Sequence, residues 1–513
     1  MKEGRGEIEV AVSLDPGNSL IRSYLGKAYF EEKRDSLAGN QFALAKTLDP
    51  GDPTPWFYDA IFKQTMNRPV EALHDLQKSI ELNDHRAVYR SRLLLDEDLA
   101  TRSSSLSRVY SDLRFSQLAL AEGYKSLNTD PSNYSAHRFL SNSYSVLPRH
   151  QIAQVSERLQ SQLLQPINIQ PVSPNLIQGS PYILEMAGPS SSSFNEFSQL
   201  FNRNRISLQA SGLAAGNNTW GEELIFSGVL EKLSFSLGQY HNETDGFREN
   251  NDQHQNSYNA FVQVSLSPLT SIQTEYRKKD KENGDLSLLF DPDIYFPSLR
   301  GGQETEMLRL GFHHAFSPNS RFIASLIYQD KGWETRYPDY GFGFIDEENG
   351  FMTEGQHLFR SHRLNLINGL GYFSADRKSS EEFAPFPKQI YENDISHTNL
   401  YTYGYLHYPN NFTWIVGASV DLLEGAIVDK EQLNPKFGVI WNPFPATTFR
   451  AAIFRTLQRT LLSSQTLEPT QVAGFNQFFL DAEGVESWRY GIGVDQKFSE
   501  KLYGGLELSR RDL

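Results

Sequence analysis

The stretch from Asn256 to Lys279 narrows the possible folds most, because it divides into two strands joined by a tight turn. Its second half alternates apolar or weakly polar side chains with strongly polar ones: Ile272, Gln273, Thr274, Glu275, Tyr276 and Arg277. Side chains on a strand point to opposite faces with a period of two. The pattern therefore predicts a hairpin with one apolar face and one charged face.

The same unit recurs to the end of the chain, and tight turns alternate with long polar loops. Strands are predicted at 204–214, 221–231, 233–241, 255–266, 271–279, 304–316, 321–331, 350–360, 363–374, 397–408, 412–422, 434–442, 448–457, 486–498 and 502–511. Long loops are predicted near 242–254, 280–303, 332–349, 375–396, 423–433 and 458–485. Short turns on one side and long loops on the other are typical of a large antiparallel transmembrane β-barrel.

Residues 1–165 are predicted to form an α-solenoid of helical hairpins. Leu14-Asp15-Pro16, Leu48-Asp49-Pro50 and Leu82-Asn83-Asp84 are spaced by 34 residues, which is a helical-repeat period. One later unit carries extra residues, which we place around Asp96–Ser105. Residues 166–203 are rich in Pro and Ser and are predicted to be a linker between this α domain and the β domain at 204–513.

The sequence patterns at both ends of the chain predict that further residues belong to the two domains. Fifteen strands is an odd number, whereas bacterial barrels have an even number, so at least one more strand is expected after Leu513. At the other end only half a repeat precedes Leu14, and residues 1–13 have no apolar core of a secretion signal. We therefore expect the barrel and the solenoid to be incomplete.

The 34-residue units resemble tetratricopeptide repeats, and the strands from 205 resemble the barrels of Gram-negative outer-membrane proteins, including TonB-dependent receptors. The combination is similar to outer-membrane polysaccharide exporters, such as those for poly-N-acetylglucosamine and cellulose. The resemblance implies a barrel in outer-membrane lipid, with the repeats in the periplasm. The chain departs from TonB-dependent receptors because only the linker stands where their plug domain precedes the barrel, and because it shows no TonB box.

Charged residues inside the predicted strands are expected to line a wet lumen, because an Arg facing lipid at mid-bilayer costs about 2–4 kcal/mol. These lumen-lining residues are Glu275, Arg277, Arg309, Arg450, Asp495 and Glu507. In the solenoid, the repeat geometry places Lys27, Arg138 and Asn142 in a groove that binds a periplasmic protein or peptide.

The sequence favours a protein that is not an enzyme. We find no nucleophile triad, phosphate loop or metal cluster, so no catalytic residue, cofactor or metal is predicted. The acid-rich stretch from Glu243 to Asp252 is interpreted as a solvated outer loop. The chain has no cysteine, which excludes thiolate chemistry and disulfides, and its net charge of −14 disfavours nucleic acid as a partner.

The main functional hypothesis is an outer-membrane barrel that passes a polar solute or polymer while its periplasmic repeats dock partner proteins. Two alternatives stay open. The first is an outer-membrane scaffold or adhesin, and the second is a plugless uptake protein like the TonB-dependent receptors. A soluble repeat-containing enzyme is the least favoured class.

This topology makes a prediction about protease accessibility. If the long loops face outward, protease added to intact cells should cut within 280–303 or 458–485, and it should spare residues 14–165. Fragment masses measured after brief digestion test the orientation. Cleavage inside the repeats of intact cells would contradict it.

Overall fold

The computed structural model describes residues 2–89, 95–145, 147–167, 204–287, 294–425, 428–444, 446–459, 461–499 and 502–513. Most of the predicted linker at 166–203 lies outside the described residues. Helices occupy the described part before the linker, and strands dominate the part after it.

The described helices are α1 Lys2–Leu14, α2 Ser19–Glu31, α3 Asp35–Leu48, α4 Pro53–Thr65, α5 Pro69–Glu81, α6 Arg86–Tyr89, α7 Leu95–Asp112, α8 Ser116–Thr129, α9 Tyr134–Tyr144 and α10 Gln151–Leu164. None of these helices combines the length and the apolar character needed to cross a membrane.

Helices α2 to α5 reproduce the 34-residue period. Helices α2 and α4 begin 34 residues apart, at Ser19 and Pro53, and α3 and α5 begin at Asp35 and Pro69. Close packing within the first pair depends on Gly26, since a Cβ there would lie 2.6 Å from Cε1 of Phe42. Helix α7 has 18 residues against 13 in α4, so part of the insertion lengthens the helix that contains the predicted range Asp96–Ser105, and the short helix α6 precedes it.

The strands are β1 Arg205–Ala215, β2 Thr219–Leu230, β3 Leu233–Thr244, β4 Gln253–Ser267, β5 Thr270–Asn283, β6 Arg300–Ser317, β7 Ser320–Tyr337, β8 Phe342–Arg360, β9 Leu364–Phe383, β10 Gln389–Leu406, β11 Phe412–Glu424, β12 Asp429–Phe444, β13 Thr447–Leu457, β14 Gln471–Val472, β15 Phe475–Asn476, β16 Glu486–Ser499 and β17 Leu502–Asp512. Fifteen of them form one antiparallel sheet in chain order, and β14 pairs with β15 separately.

The predicted fold class is confirmed, and each of the fifteen predicted strands is present in the large sheet. The sheet is not closed in the described residues, where β1 pairs with β2 and β17 with β16, and the two edge strands are not paired with each other.

Three of the predicted long loops are wrong. Residues around 332–349, 375–396 and 423–433 belong largely to β7–β12, which extend much further than predicted. Backbone hydrogen bonds between neighbouring strands hold these extensions, as in the continuous register from Gln389 paired with Glu381 to Leu406 paired with Leu364. Their side chains are charged on both faces, so the apolar alternation that marks a half-buried strand is missing from the sequence.

The two faces of the sheet have reversed polarity compared with a soluble sandwich. One face, which we call the lumenal face, is buried and largely polar. Its buried side chains include Gln255, Asn259, Gln263, Gln273, Glu275, Arg309, Glu354, Gln356, Asn399, Asp421, Asn434 and Lys436.

The opposite face exposes large apolar side chains, which we call the outer belt: Leu224, Phe226, Leu237, Ile272, Leu308, Leu310, Leu326, Phe351, Leu370, Leu400, Val416, Leu433, Phe437, Ile453, Ile492, Leu506 and Leu508. An apolar exterior with a polar interior is the arrangement of strands that cross a lipid bilayer.

Aromatic side chains mark the short-turn end of the outer face. The ring centroids of Phe412 and Trp441 are 5.6 Å apart, and those of Trp441 and Phe449 are 5.5 Å apart, so the three rings stack across neighbouring strands. Tyr503, near the start of β17, packs its ring against Tyr110 and Phe115 of the helical part instead.

Candidate functional site in the lumen of the sheet

Helix α10 lies against the lumenal face and is buried on all sides along most of its length. Its apolar residues Leu159, Leu163 and Leu164 join a cluster of buried side chains from the sheet. Gly311 on β6 makes room for the helix, because a Cβ there would lie 2.6 Å from Cδ2 of Leu163. A helix assigned from sequence to the solenoid thus occupies the interior of the barrel-like sheet.

The polar side of α10 is bound by charged wall residues. Arg309 donates from Nη2 to Oε2 of Glu275 at 2.7 Å and to Oε1 of Gln162 at 2.9 Å. Arg277 donates from Nε to Oε1 of the same Glu275 at 2.7 Å. The amide of Gln273 donates to the backbone carbonyl of Gln162 at 2.6 Å. We call Glu275, Arg277 and Arg309 the wall triad.

The wall triad faces a further cation on α10. Arg158 is 6% exposed, and burial lowers the pKa of its guanidinium to about 10. Arg277 lowers that pKa further, whereas Glu275 opposes the shift. Three guanidinium groups and one carboxylate leave this group of residues electrostatically unbalanced, and uncompensated buried charge is costly. Helix α10 is therefore held by specific hydrogen bonds against a repulsive background.

Residues 461–478, which we call the inward segment, leave the upper end of β13 and fold into the lumen before the chain returns to β16. Nearly all of its residues are buried, and it contains β14 and β15. Its prediction as part of an outer loop is wrong. Its contacts include Gln329 on β7, Glu354 on β8 and Tyr403 on β10, so the sheet curves around it.

Glu354 accepts hydrogen bonds from residues 466–468 of the inward segment. Its carboxylate receives the hydroxyl of Thr466 at 2.9 Å and the backbone N–H groups of Leu467 at 2.8 Å and Glu468 at 3.2 Å. The hydroxyl of Tyr401 completes the set at 3.2 Å. Four donors around one buried carboxylate fix the position of these residues.

A second group of polar contacts holds the inward segment at Glu468. Arg459 donates from Nη2 to Oε2 of Glu468 at 2.9 Å, and its Nη1 lies 3.4 Å from Oδ1 of Asp421. Tyr403 donates to the other oxygen of Glu468 at 2.6 Å. Asp421 in turn pairs with Nε2 of His397 at 2.9 Å. Each charged group here has an opposite charge in contact, as a buried ion pair requires.

The remaining predicted lumen residues form a third group of polar contacts. Arg450 pairs with Asp495 at 3.0 Å and with Glu507 at 3.2 Å, and it donates from Nη1 to the carbonyl of Ala473 at 3.3 Å. Gly491 allows the ring of Phe475 to press against the wall, since a Cβ there would collide with it. Phe475 also lies beneath the Arg450 guanidinium, 5.3 Å from the ring centroid.

The structure thus places the six predicted lumen residues on the lumenal face in two groups. Arg309 binds α10 and pairs with Glu275, which also holds Arg277. Arg450 binds the inward segment and pairs with Asp495 and Glu507. These side chains were expected to line a wet lumen, whereas α10 and the inward segment occupy that space in the part of the chain that the structure describes.

Sequence reasoning missed Glu354, Asp421, Arg459 and Glu468, although the sequence carried a signal. The inward segment contains a single charged residue, Glu468, in eighteen positions, which is unusual for a solvated loop. In the same way, α10 carries amide side chains and no charge after Arg158. Low charge in a nominal surface element indicates burial.

The three predicted groove residues do not share one surface. Lys27 is 1% exposed, and its Nζ lies 5.7 Å from the ring centroid of Tyr58. Burial lowers the pKa of Lys27 to about 8. Arg138 is also buried, and only Asn142 is exposed.

Helices α7 to α9 pack against the short-turn end of the sheet. Arg360, at the end of β8, pairs with Asp130 at 2.8 Å. The amide of Asn365 on β9 donates to the carbonyl of Asn128 at 2.7 Å. Tyr110 and Phe115 hold Tyr503 of β17 between them. The helices therefore lie on the side of the sheet that carries the short turns.

No known protein family and no curated protein matches the sequence. Solved structures do resemble it. The ferripyoverdine receptor of the Pseudomonas aeruginosa outer membrane is 12% identical, with a TM-score of 0.47 over 60% of this chain and 48% of the receptor chain. The ferric yersiniabactin uptake receptor FyuA from Yersinia pestis is 9% identical, with a TM-score of 0.46 over 58% and 52%.

The siderophore receptor PiuA from Acinetobacter baumannii is 10% identical, with a TM-score of 0.44 over 60% of this chain and 56% of the receptor. This chain thus spans about half the length of the receptors that it matches.

The wall triad should behave as one coupled unit. We expect Glu275→Gln to destabilise the protein by about 3–5 kcal/mol, because it leaves the buried Arg309 and the half-buried Arg277 without their carboxylate. Arg309→Met should cost less, because Arg277 still pairs with Glu275. The double variant should cost clearly less than the sum, since both changes break the same pair. Urea unfolding followed by circular dichroism measures the three values.

A matched control is the ion pair of Lys278 and Glu304, 2.9 Å long and largely exposed on the outer face of the same strands. Glu304→Gln should change the unfolding free energy by less than about 1 kcal/mol. Strictly additive losses in the triad would show that Glu275 and Arg309 are not coupled.

Lys27 should make stability depend on alkaline pH. Its pKa falls from 10.5 in the unfolded chain to about 8 in the folded one. Between these values the unfolded state binds more protons, so stability should rise with pH across this window. Lys27→Met should remove this rise and increase the free energy of unfolding by up to about 3 kcal/mol at neutral pH. The control Lys125→Met, at an exposed position, should have neither effect. Thermal unfolding of the helices at several pH values measures this pH dependence. If stability rises equally with pH in Lys27→Met and in the unmodified chain, Lys27 is not its cause.

Proposed function

We propose that this chain is a gated uptake protein of the outer membrane, whose sheet spans the bilayer and whose lumen is held shut by α10 and the inward segment. The observation that carries the proposal is the occupied lumen. A wide, polar-lined sheet of this size would otherwise enclose water. Here two separate pieces of chain fill it through polar contacts.

The outer belt supports the membrane assignment. Its large apolar side chains would face water in a soluble protein, whereas lipid accommodates them without cost. The stacked aromatic rings near the short turns fit the level of the lipid headgroups. Because short turns face the periplasm in bacterial barrels, the helices docked beside them belong on the periplasmic side.

The contacts in the lumen favour a gate over a permanent core. A core that never moves is usually packed from apolar side chains, and replacing buried ion pairs with such residues often stabilises a protein. Here hydrogen bonds and ion pairs hold the lumenal elements beside the apolar cluster that contains Leu163 and Phe475, and the polar contacts can exchange for water when the elements leave. The repulsion around Arg158 also lowers the free energy needed to release α10.

The two lumenal elements come from opposite ends of the sheet. Helix α10 continues from the helices on the short-turn side, and the inward segment hangs from the long-loop ends of β13 and β16. They meet where the Ser156 hydroxyl accepts the N–H of Thr466 at 3.1 Å and where Thr470 bonds to Glu157. A ligand arriving from outside would act on the segment, and a partner on the periplasmic side would act on α10.

The helical hairpins supply the site for that partner. Contacts with the sheet come from α7 to α10, so the hairpins α2/α3 and α4/α5 extend the array away from it. Repeat arrays of this kind bind proteins or peptides along their surface. We propose a periplasmic protein as the partner, whose binding is transmitted through the hairpins to α10.

The chain has no cysteine, so a disulfide can test the gate cleanly. In Leu163→Cys/Gly311→Cys the new side chains replace a packed contact between α10 and the wall, and removal of the leucine methyl groups leaves room for the new Cβ on β6. The current through planar lipid bilayers should be small for the unmodified chain. It should rise in dilute urea, which weakens buried contacts, and the oxidised variant should suppress this rise until reductant is added.

The matched control is Leu308→Cys/Tyr328→Cys, a directly paired position on the outer faces of β6 and β7. Its disulfide joins two strands and leaves α10 free, so the urea-induced current should persist. A steady large current through the unmodified protein without urea would contradict the gate and favour the hypothesis of an open export barrel. A urea-induced current that ignores the α10 disulfide would exclude α10 as the moving part.

A further inference from the structure

Three potential metal ligands meet on the outer face of the sheet, away from the lumen. His241 and Glu243 lie two residues apart on β3, and therefore share a face. His254 on β4 is the direct cross-strand partner of Glu243. One ligand atom from each of the three side chains lies within 4.8 Å of the other two. The group sits next to the 245–252 connection, at the end of the sheet opposite the short turns.

The chemistry of this set fits a divalent transition metal. Neutral imidazole nitrogens and a carboxylate are ligands for Zn²⁺, Cu²⁺ and Ni²⁺, whereas Mg²⁺ and Ca²⁺ prefer sets of oxygen atoms alone. Two imidazoles and one carboxylate occupy three positions of a tetrahedral ion and leave the fourth open to water. Ligand bonds of about 2.0–2.2 Å require the three side chains to close by roughly 1 Å, which rotations of partly exposed side chains can supply.

Asn256 orients the first imidazole for this role. The Nδ1 of His241 lies 2.7 Å from Oδ1 of Asn256, so it carries the proton and donates it to the amide oxygen. This leaves the lone pair on Nε2 of His241, which is buried, has no hydrogen-bond partner among the described residues and lies 3.8 Å from Oε2 of Glu243. A histidine whose distal N–H is held by an oxygen acceptor is the usual form of a metal ligand.

The side-chain amide of Asn256 also forms a hydrogen bond with the second imidazole, that of His254. Nδ2 of Asn256 lies 2.8 Å from Nε2 of His254 and donates to it, so that nitrogen also carries a lone pair. A bound ion would take the place of the Asn256 N–H at Nε2 of His254. Asn256 therefore keeps both imidazole nitrogens deprotonated, and unprotonated imidazole is the form that binds metal.

Trp220 covers the group from β2. Its ring centroid lies 4.3 Å from that of His241, and its Nε1 donates to Oε2 of Glu243 at 3.2 Å. The indole thus restrains the carboxylate on the side of the imidazole. It also places a fluorophore in direct contact with two of the ligands.

We propose that His241, Glu243 and His254 form a binding site for a divalent transition-metal ion at the long-loop rim of the outer face. The order of affinity should follow the general series for nitrogen and oxygen ligands, with Cu²⁺ bound most tightly and Zn²⁺ and Ni²⁺ more weakly. The site is separate from the lumen and does not depend on the gate. Because the adjoining 245–252 connection links β3 to β4, the ion would tie the two strands together at their exposed ends.

Titration of the untagged full chain in detergent with Cu²⁺ or Zn²⁺ tests the site, with isothermal calorimetry to count ions. We expect one ion per chain and quenching of Trp220 fluorescence by Cu²⁺, read as the difference between the unmodified chain and Trp220→Phe. His241→Gln/His254→Gln should abolish both signals. Asn256→Ala should weaken binding about 10–100-fold, as expected for loss of a group that orients a ligand.

His357→Gln is the matched control, because His357 also lies on the outer face of a strand and bonds through Nε2 to the Ser320 hydroxyl at 2.8 Å. It should leave Cu²⁺ binding unchanged. Retention of stoichiometric binding in the double variant would overturn the proposal, as would failure of the unmodified chain to bind either ion more tightly than Mg²⁺. If Asn256→Ala and His357→Gln lose the same amount of affinity for Cu²⁺, an orienting role of Asn256 is excluded.

Discussion

The structure depends on a sheet that buries its polar face and exposes its apolar face. Buried polar groups must find hydrogen-bond partners, because an unsatisfied one costs about 1–3 kcal/mol. The lumenal face presents many of them at once, and water or protein has to satisfy them. In this chain, other parts of the protein satisfy many of these groups. Helix α10 does so at the wall triad, and the inward segment does so at Glu354, Tyr403 and Arg450.

This solution joins parts of the chain that are far apart in sequence. Gln162 and Arg309 are bonded across 147 positions, and Ser156 and Thr466 across 310. The lumen is therefore the place where the helices, the wall and the segment from the long-loop end share one network. Under the proposed function, a displacement of either lumenal element breaks contacts of the other, which couples the two sides of the membrane without requiring the wall to deform.

The strands were predictable from the sequence because each carries its own period-two pattern and turn residues, as in the hairpin at Asn256–Lys279. The 34-residue period likewise predicted the hairpins α2/α3 and α4/α5. The occupied lumen was not predicted, because an amphipathic helix such as α10 shows the same periodicity whether it packs in a solenoid or in a barrel. The inward segment lacks periodicity altogether, and only its low charge distinguishes it from a loop. Gln162, the partner of Arg309 on α10, lies 147 positions away in the sequence, so no local pattern could identify it. The proposed metal ligands on β3 and β4 meet only once the strand register is known.

Hydrogen exchange in native outer-membrane vesicles tests the central claim most directly, that the lumen is filled by α10 and the inward segment. Backbone amides of 151–164 and 462–478 can be compared by mass spectrometry with those of the exposed tip at 216–218. Both lumenal stretches should exchange far more slowly than the tip, because they are buried and hydrogen-bonded. Exchange of 462–478 as rapid as that of 216–218 would show that this segment lies outside in solvent, and would contradict the filled lumen.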